Sequence, residues 1–312
     1  VVIGYGTQKR KDVTTAISSV STKDLDERPI VSAAQALQGK AAGVYVMQPS
    51  GTPGADMSIR VRGTTSFNGS NDPLYVVDGV AVDNINFLSP NDIASMQILK
   101  DASSAAIYGS RAANGVIMIT TKAGETGKAK VALNAQIGIN SVANKIESLN
   151  AVQYKELQEE IGAILNPGTA DITDWHDEVY QTGLTQNYQV SVSNGNEKFK
   201  YYLSAGYLDE QGVLKAAFFR ANLENKVRDW LKVGANISYS DNSKNGITTG
   251  MGANRGGVVL AVINLPTSVP VWNEENNYYN RDFYGMNLVN PVEAMENGKN
   301  NKAQETRLIA SG

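Results

Sequence analysis

From residue 129 onward, apolar and polar residues alternate with a period of two, and this pattern constrains the fold more than any other feature of the chain. Side chains of a β-strand point to opposite faces in turn, so each alternating run predicts a strand with one apolar and one polar face. Five runs are clear, at residues 131–140, 188–193, 198–207, 219–228 and 232–240. They predict an antiparallel sheet, although soluble sheets show the same alternation.

The placement of aromatic residues favours a membrane barrel over a soluble sheet. Phe199, Tyr201 and Tyr207 lie towards the ends of one apolar face, with Leu203 and Ala205 between them. Eight steps of about 3.3 Å, tilted by about 40°, cover roughly 20 Å of height, which is close to a lipid-facing band with its two aromatic girdles.

The spacing of the runs favours the same architecture. Short connections near residues 195–196 and 229–230 alternate with long ones, at about 143–186, 208–218 and 241–303. Outer-membrane barrels alternate short periplasmic turns with long extracellular loops, and a soluble sandwich has no reason to do so.

Several charged residues fit a structural role in such a barrel. The charged face of the fourth run would point into a wet lumen or against a plug, and its members are Arg220, Glu224, Lys226 and Arg228. Arg60 and Arg62 lie on one predicted strand and are expected to make structural contacts, with binding of a substrate anion as the alternative. Asp78-Gly79 is typical of a turn after an apolar strand, and no partner for an acid–base role of Asp78 is evident.

The first 124 residues have a different pattern and predict a compact α+β unit. Short apolar runs predict strands at Val44 to Met47, Met57 to Arg62, Leu74 to Asp78, Ser95 to Leu99 and Gly115 to Lys122. Helices are predicted at 32–38, closed by Gly39, and at 102–108, capped by Asp101 and ended by Gly109.

Composition excludes several kinds of site. A net charge of −3 and a pI near 5.4 provide no basic face for nucleic acid. The chain has no cysteine and a single histidine, His176, so neither a disulfide framework nor a His-based zinc site is expected. No nucleophile–base pair, metal cluster or phosphate loop is evident, so we expect no enzyme activity, no cofactor and no metal.

Four ordered stretches of the first 124 residues resemble the plug of SusC-type TonB-dependent outer-membrane receptors, the starch-utilisation-like transporters. They are VVIGYGTQ (1–8), AAQALQGKAAGVYV (33–46), SIRVRGTTSFNGSNDPLYVVDGV (58–80) and LKDASSAAIYGSRAANGVIMITTKAG (99–124). The stretches WHDEVYQTG, QNYQVSVSNGN, KFKYYLSAGYLDEQG and WLKVGANISYS resemble the first barrel strands of that family.

This resemblance implies a plug followed by antiparallel transmembrane strands, as a segment of a plugged barrel of about 22 strands in the outer membrane of a Gram-negative bacterium. The expected division is a TonB-box-like segment at 1–8, a plug domain at 9–124, and the N-terminal part of the barrel at 125–312. Long extracellular loops are expected at about 143–185 and 241–303, and the plug is expected to be accessible from the periplasm. At most six barrel strands are predicted, too few to close, so the chain is expected to be part of a longer protein.

The resemblance also implies partners. TonB, with its inner-membrane energising complex, would bind an extended N-terminal segment by adding it as a strand to a sheet edge. That segment is Val1, Val2, Ile3, Gly4 and Tyr5. The other expected partners are a SusD-like surface lipoprotein, outer-membrane lipid, and a large cargo, either an oligosaccharide or an oligopeptide.

Cargo contacts are expected in two regions. The first is a set of polar plug loops, containing Ser66, Phe67, Asn68, Asn71, Asp72, Asp83, Asn84 and Asn86. The second is a set of loop tyrosines suited to stacking on sugar rings, containing Tyr278, Tyr279 and Tyr284. The alternatives are a stand-alone receptor for a siderophore or vitamin, a signal-transducing receptor, and a soluble adhesive β protein.

Overall fold

The computed structural model describes residues 2–3, 6–7, 17–21, 32–48, 57–61, 63, 71–100, 106–163, 167–246, 257–275, 278–281, 283–284 and 289–312. Two segments of sheet dominate it. The plug (residues 17–121) contains a five-stranded sheet, and the wall (residues 127–311) contains a six-stranded sheet. Two short strands, β1 (Val2–Ile3) and β2 (Gly6–Thr7), pair with each other ahead of the plug.

The described residues of the plug form seven strands. They are β3 (Ile17–Ser21), β4 (Val44–Met47), β5 (Ser58–Val61), β6 (Leu74–Val77), β7 (Val80–Val82), β8 (Ile93–Leu99) and β9 (Val116–Thr121). The sheet order is β3-β8-β9-β6-β7, in which only the β6–β9 pair is parallel, and β4 and β5 form a separate antiparallel pair.

The position of strand β9 between two hydrophobic clusters explains why its sequence is an unbroken apolar run. Ile117 and Ile119 belong to one hydrophobic cluster of the plug, whereas Val116 and Met118 belong to another. A strand covered on both faces needs apolar residues at every position rather than at alternate ones. The plug therefore has its own hydrophobic core, built from both faces of its sheet.

The five strands predicted in the plug are confirmed, with ends that differ by one or two residues. The helix predicted at 32–38 is wrong, since only a single 3-10 turn forms there, Gln35–Leu37. Seven residues gain too few hydrogen bonds to offset helix nucleation. Residues 101–105, including the predicted cap Asp101, lie outside the described residues. The described part of the helix predicted at 102–108 is a 3-10 turn that begins at Ala106, and Gly109, with φ 64° and ψ −151°, leaves the helical conformation as predicted. A second short 3-10 segment follows, up to Ala112.

The remaining strands follow the plug in the chain. They are β10 (Gly127–Asn140), β11 (Gly183–Gly195), β12 (Phe199–Glu210), β13 (Leu214–Arg228), β14 (Leu231–Asn245), β15 (Trp272–Asn273), β16 (Tyr278–Tyr279) and β17 (Lys302–Ser311). The wall is β10-β11-β12-β13-β14-β17, with every neighbouring pair antiparallel.

The two faces of the wall separate as the alternation predicts. Val131 and Leu133 on the apolar face are 70% and 74% exposed, and the apolar face of the other strands is exposed too. On the opposite face, Gln189 is 1% and Arg220 3% exposed, because the plug covers them. An apolar face turned outward and a polar face turned towards a plug are the arrangement of a barrel in lipid.

The connections follow the predicted rhythm with one correction. Residues 196–198 and 229–230 form short turns at one end of the wall, the short-turn end, and loops 141–182 and 246–301 lie at the other, the long-loop end. The connection predicted to be long at 208–218 is a turn of residues 211–213, with Gly212 at φ 78°. Here the ladder continues through polar residues beyond the apolar run, so Glu210 still pairs with Leu214.

The two long loops fold against each other. They contain helices α1 (Ala151–Glu160), α2 (Trp175–Val179), α3 (Val258–Asn264) and α4 (Pro291–Gly298). Trp175 and Val179 of the first loop join Val262 and Phe283 of the second in one hydrophobic cluster. Among the described residues, no helix has the length and apolar content needed to cross a membrane.

Candidate functional site at the plug–wall interface

A buried cluster joins the turn after β6 to the inner face of β13. Asp78 forms an ion pair with Arg220, whose side chain is almost fully buried. The Asp78 carboxylate also accepts hydrogen bonds from the Thr121 backbone N–H (2.9 Å) and hydroxyl (2.6 Å). Arg220 Nη2 donates to the Thr121 hydroxyl oxygen at 2.6 Å, so the three side chains form a closed triangle. Charge-assisted bonds of this kind hold the two sheets together most strongly where water is excluded.

A second buried cluster joins the start of β8 to β11 and β12. Oδ1 of Asp92 accepts hydrogen bonds from Gln189 Nε2 at 2.6 Å and from the Tyr202 hydroxyl at 2.9 Å. The Ser89 hydroxyl donates to Gln189 Oε1 at 2.7 Å. Burial raises the pKa of the Asp92 carboxyl, against the opposing effect of the neighbouring Ser204, Tyr202 and Gln189 side chains and of the Arg220 charge.

A third contact joins the plug to β17. Nη1 of Arg307 donates to the side-chain and backbone oxygens of Asn84, at 3.2 and 3.4 Å. The same guanidinium lies over the ring of Phe87, 5.0 Å from its centre, and Nη2 donates to Glu305 at 2.5 Å. Three separate parts of the plug are therefore bonded to four wall strands.

The hairpin β6–β7 orients the plug within the wall. Tyr75 pairs with Val82, so residues 71–72 and residues 83–84 lie at the same end of the hairpin, opposite to the turn that carries Asp78. Asp78 contacts Arg220, and the strand pairing places Arg220 level with Ile309 of β17, through Ser238 of β14. Asn84 contacts Arg307, which lies on β17 two residues nearer the long-loop end than Ile309. The loops at 71–72 and 83–86 therefore point towards the long-loop end.

The predicted cargo-facing plug residues divide into two groups. The structure brings together Asn71, Asp72, Asp83, Asn84 and Asn86 at that end of the hairpin. Asp72, Asp83 and Asn86 are exposed, whereas Asn84 is half-buried. Ser66, Phe67 and Asn68 lie outside the described residues.

The predicted loop tyrosines occupy different environments. Tyr278 is exposed, with Arg281 over its ring at 4.6 Å and its hydroxyl donating to Glu293 at 3.2 Å. Tyr279 meets the edge of Trp272, with ring centres 4.9 Å apart. Tyr284 is half-buried, packs against the hydrophobic cluster of the long loops and has a positive φ of 56°.

The N-terminal segment is described in part. Val2 and Ile3 form β1 and pair with Thr7 and Gly6 of β2. Val1, Gly4 and Tyr5 lie outside the described residues.

Sequence reasoning anticipated one half of the interface and missed the other. The sequence predicts that the polar face of β13 points into a wet lumen or against a plug, and Arg220 of this face meets the plug. The turn predicted at Asp78-Gly79 is confirmed, but sequence reasoning did not predict the ion pair of Asp78 with Arg220, which lies 142 residues away in the chain. Sequence reasoning did not identify three further interface residues, Gln189, Tyr202 and Asp92. The sequence marks them only by a polar or amphipathic side chain that lies on the inward face of a strand or beside an apolar run. Among the described residues, no three His, Asp or Glu side chains are grouped to hold a metal.

Comparison with known proteins identifies both parts. Residues 9–116 match the family described as TonB-dependent Receptor Plug Domain. The chain is 40% identical over 287 residues to TonB-dependent receptor P3 of Formosa agariphila, covering 89% of this chain and 28% of the relative. It is 35% identical over 307 residues to TonB-dependent receptor SusC of Bacteroides thetaiotaomicron, covering 92% of this chain and 30% of the relative.

A solved structure agrees in both halves of the chain. The RagAB peptide importer in its open-open state superposes with a TM-score of 0.80 at 29% identity, over 94% of this chain and 38% of that chain. This chain thus spans about three tenths of the length of the curated relatives it matches. It belongs to the SusC-like TonB-dependent receptors, which are outer-membrane proteins in which a plug domain facing the periplasm is followed by the strands of a β-barrel.

Proposed function

We propose that this chain is the plug and first wall of a transporter that imports a large nutrient, an oligosaccharide or an oligopeptide, across the outer membrane at the expense of TonB-transmitted energy. The observation that carries the proposal is the plug held inside the wall by buried polar contacts, with polar loops directed to the long-loop end. The structural neighbour RagAB, named a peptide importer, supports import as the activity, and the TonB-dependent receptor SusC supports TonB as the source of energy.

The proposed division of labour follows the chain. Residues 1–8 bind TonB, 9–124 form the plug, and 125–312 form the first part of the barrel. Cargo binds between the long loops and the plug residues at 71–72 and 83–86, with a SusD-like lipoprotein as the lid. The chemistry is binding and movement without bond making, so the transporter is not an enzyme and uses no cofactor.

TonB acts through Val1 to Tyr5. An extended segment that adds to a sheet edge supplies backbone N–H and C=O groups, and its side chains contribute less. Pulling this segment would load the plug through β3, the edge strand nearest to it in the chain. The plug then shifts or partly unfolds, and cargo passes.

The test is the substitution Ile3→Pro in the full-length receptor, with Ile3→Val as the matched control. Proline removes a backbone donor and so blocks strand addition, whereas valine keeps it. We expect the Ile3→Pro variant to lose cargo uptake while cargo binding at the cell surface persists. The Ile3→Val variant should take up cargo normally. Normal uptake by Ile3→Pro would contradict the mechanism.

The partner and the alternatives are tested by native mass spectrometry of the receptor extracted gently from outer membranes. A co-purifying lipoprotein supports the lidded importer and directs cargo screens to glycans and peptides. A bare barrel contradicts the lid and makes a siderophore or vitamin the better first cargo.

A further inference from the structure

One row of the wall carries two of the three plug contacts. The pairing places Gln189, Gly206, Phe218, Ser240 and Arg307 opposite one another on five successive strands, β11 to β17. At one end of this row Gln189 bonds to Ser89 and Asp92, and at the other Arg307 bonds to Asn84. The row crosses four gaps between strands, or about 19 Å measured along the sheet.

The plug segment between these contacts is residues 84–92, which we call the strap. Eight residue steps reach at most about 28 Å when extended. The extended length of the strap therefore exceeds the length of the row by only about 9 Å. The 3-10 turn Pro90–Asp92 shortens the strap and so uses part of this difference. Ile85, Phe87 and Leu88 of the strap are buried in the hydrophobic cluster of the plug. The strap is thus fixed in its middle by apolar packing and at each end by a polar contact with the wall.

The two ends of the strap are held differently. Asp92 is 2% exposed and sits among three buried polar side chains of β11 and β12. Asn84 is half-buried and leads directly into the exposed Asp83. Arg307 contacts this exposed end of the strap from the wall, through hydrogen bonds to Asn84 and through its position over the ring of Phe87.

We propose that Arg307 is a positioning residue for the plug loop at residues 83–87, and that it sets the placement of the loop that faces the long-loop end. This rests on the proposed function only in taking that loop as cargo-facing. The guanidinium is suited to the task because its planar group donates through Nη1 to Asn84 while its face covers Phe87. A lysine would offer a point charge without that geometry.

The experiment places a nitroxide spin label at Asp83→Cys in the full-length receptor, with any other cysteine replaced, and records its mobility by electron paramagnetic resonance. We expect Arg307→Ala to lower the ratio of immobilised to mobile label by about tenfold or more, which is the effect of losing hydrogen bonds to a charged group. Arg307→Lys should restore only part of that ratio. Arg228→Ala is the matched control, since Arg228 lies exposed at the short-turn end of β13, and should leave the spectrum unchanged.

Asn84→Ala provides the second arm. If Arg307 acts through Asn84, the double variant should be no more mobile than Arg307→Ala alone, whereas independent effects would multiply. An Arg307→Ala spectrum equal to wild type, or full recovery by lysine, overturns the proposal. The label reports on the position of the loop without cargo or TonB. The experiment can therefore refute the role of Arg307 while the proposed import function is kept, and it can support that role even if the import function is refuted.

Discussion

The ion pair between Asp78 and Arg220 yields a quantitative prediction for Arg220→Met. The substitution keeps most of the side-chain volume but leaves the Asp78 carboxylate without its cation in a buried site. Removing one member of a buried pair costs about 3–5 kcal/mol. Asp78 keeps two hydrogen bonds from Thr121, at 2.9 and 2.6 Å, so we expect the low end, about 3 kcal/mol.

The assay measures how often the plug opens. Ser240 is 2% exposed on the inner face of β14, and the chain has no cysteine of its own. In the full-length receptor, Ser240→Cys as the single cysteine reacts with a maleimide only when the plug moves away from the wall. A loss of about 3 kcal/mol raises the labelling rate roughly 150-fold, since about 1.4 kcal/mol is a factor of ten.

The matched control is Arg228→Met on the same strand, where the arginine is exposed. A surface change of this kind alters the free energy of opening by about 0.5 kcal/mol or less. Asp78→Asn combined with Arg220→Met should recover part of the loss, because no unpaired charge stays buried. Equal labelling rates for Arg220→Met and Arg228→Met would refute the reasoning.

Three further predictions address packing and pH. Gly206→Ala should destabilise the full-length barrel by about 1–3 kcal/mol, read as a lower thermal unfolding midpoint, because a Cβ there would overlap the ring of Phe218 and a backbone oxygen. Arg281 holds the pKa of Glu293 below its usual range, so this loop contact stabilises above about pH 4.3 and is lost as the pH falls through the lowered pKa. Acidification should therefore speed amide hydrogen exchange in α4 of the wild-type protein, and this pH dependence should be absent in the Glu293→Gln variant. Burial raises the pKa of Asp92, so its contribution to stability falls as the pH rises from about 3.9 through that raised pKa. In the maleimide assay, the labelling rate should therefore increase over this pH range, and Asp92→Asn should remove the increase.

The sequence predicted those features of the fold that depend on local pattern. Strands β4, β6 and β9 are short apolar runs bounded by turn residues, and the wall strands alternate cleanly, so their faces could be assigned before their neighbours were known. The 3-10 turn at Gln35–Leu37 could not be foreseen, because its form is decided by tertiary packing: Leu37 is fully buried although too few residues follow it to continue a helix.

The interface lay beyond local pattern for a different reason. Whether Asp78 meets Arg220 depends on the register of β13 against its neighbours and on the height at which the plug sits in the wall. Each is a long-range property, and a slip of one residue would turn Arg220 to the outer face. The tight turn at residues 211–213 was missed because the strands continue through polar residues where apolar alternation stops.

The division between apolar and polar contacts bears on how such a plug can move. The hydrophobic core of the plug is internal, built by its own strands, and Ile309 of β17 adds an apolar contact from the wall. The contacts that join plug to wall at Asp78, Asp92 and Asn84 are polar. When the plug shifts, water can replace the lost hydrogen bonds, so each contributes only about 1 kcal/mol of net resistance, although a single unpaired group left behind costs more. An apolar seal of similar area would expose hydrophobic surface on both sides at every opening. A polar interface therefore holds the plug in place at rest and lets a pull release it without unfolding its core, provided that the paired groups separate together.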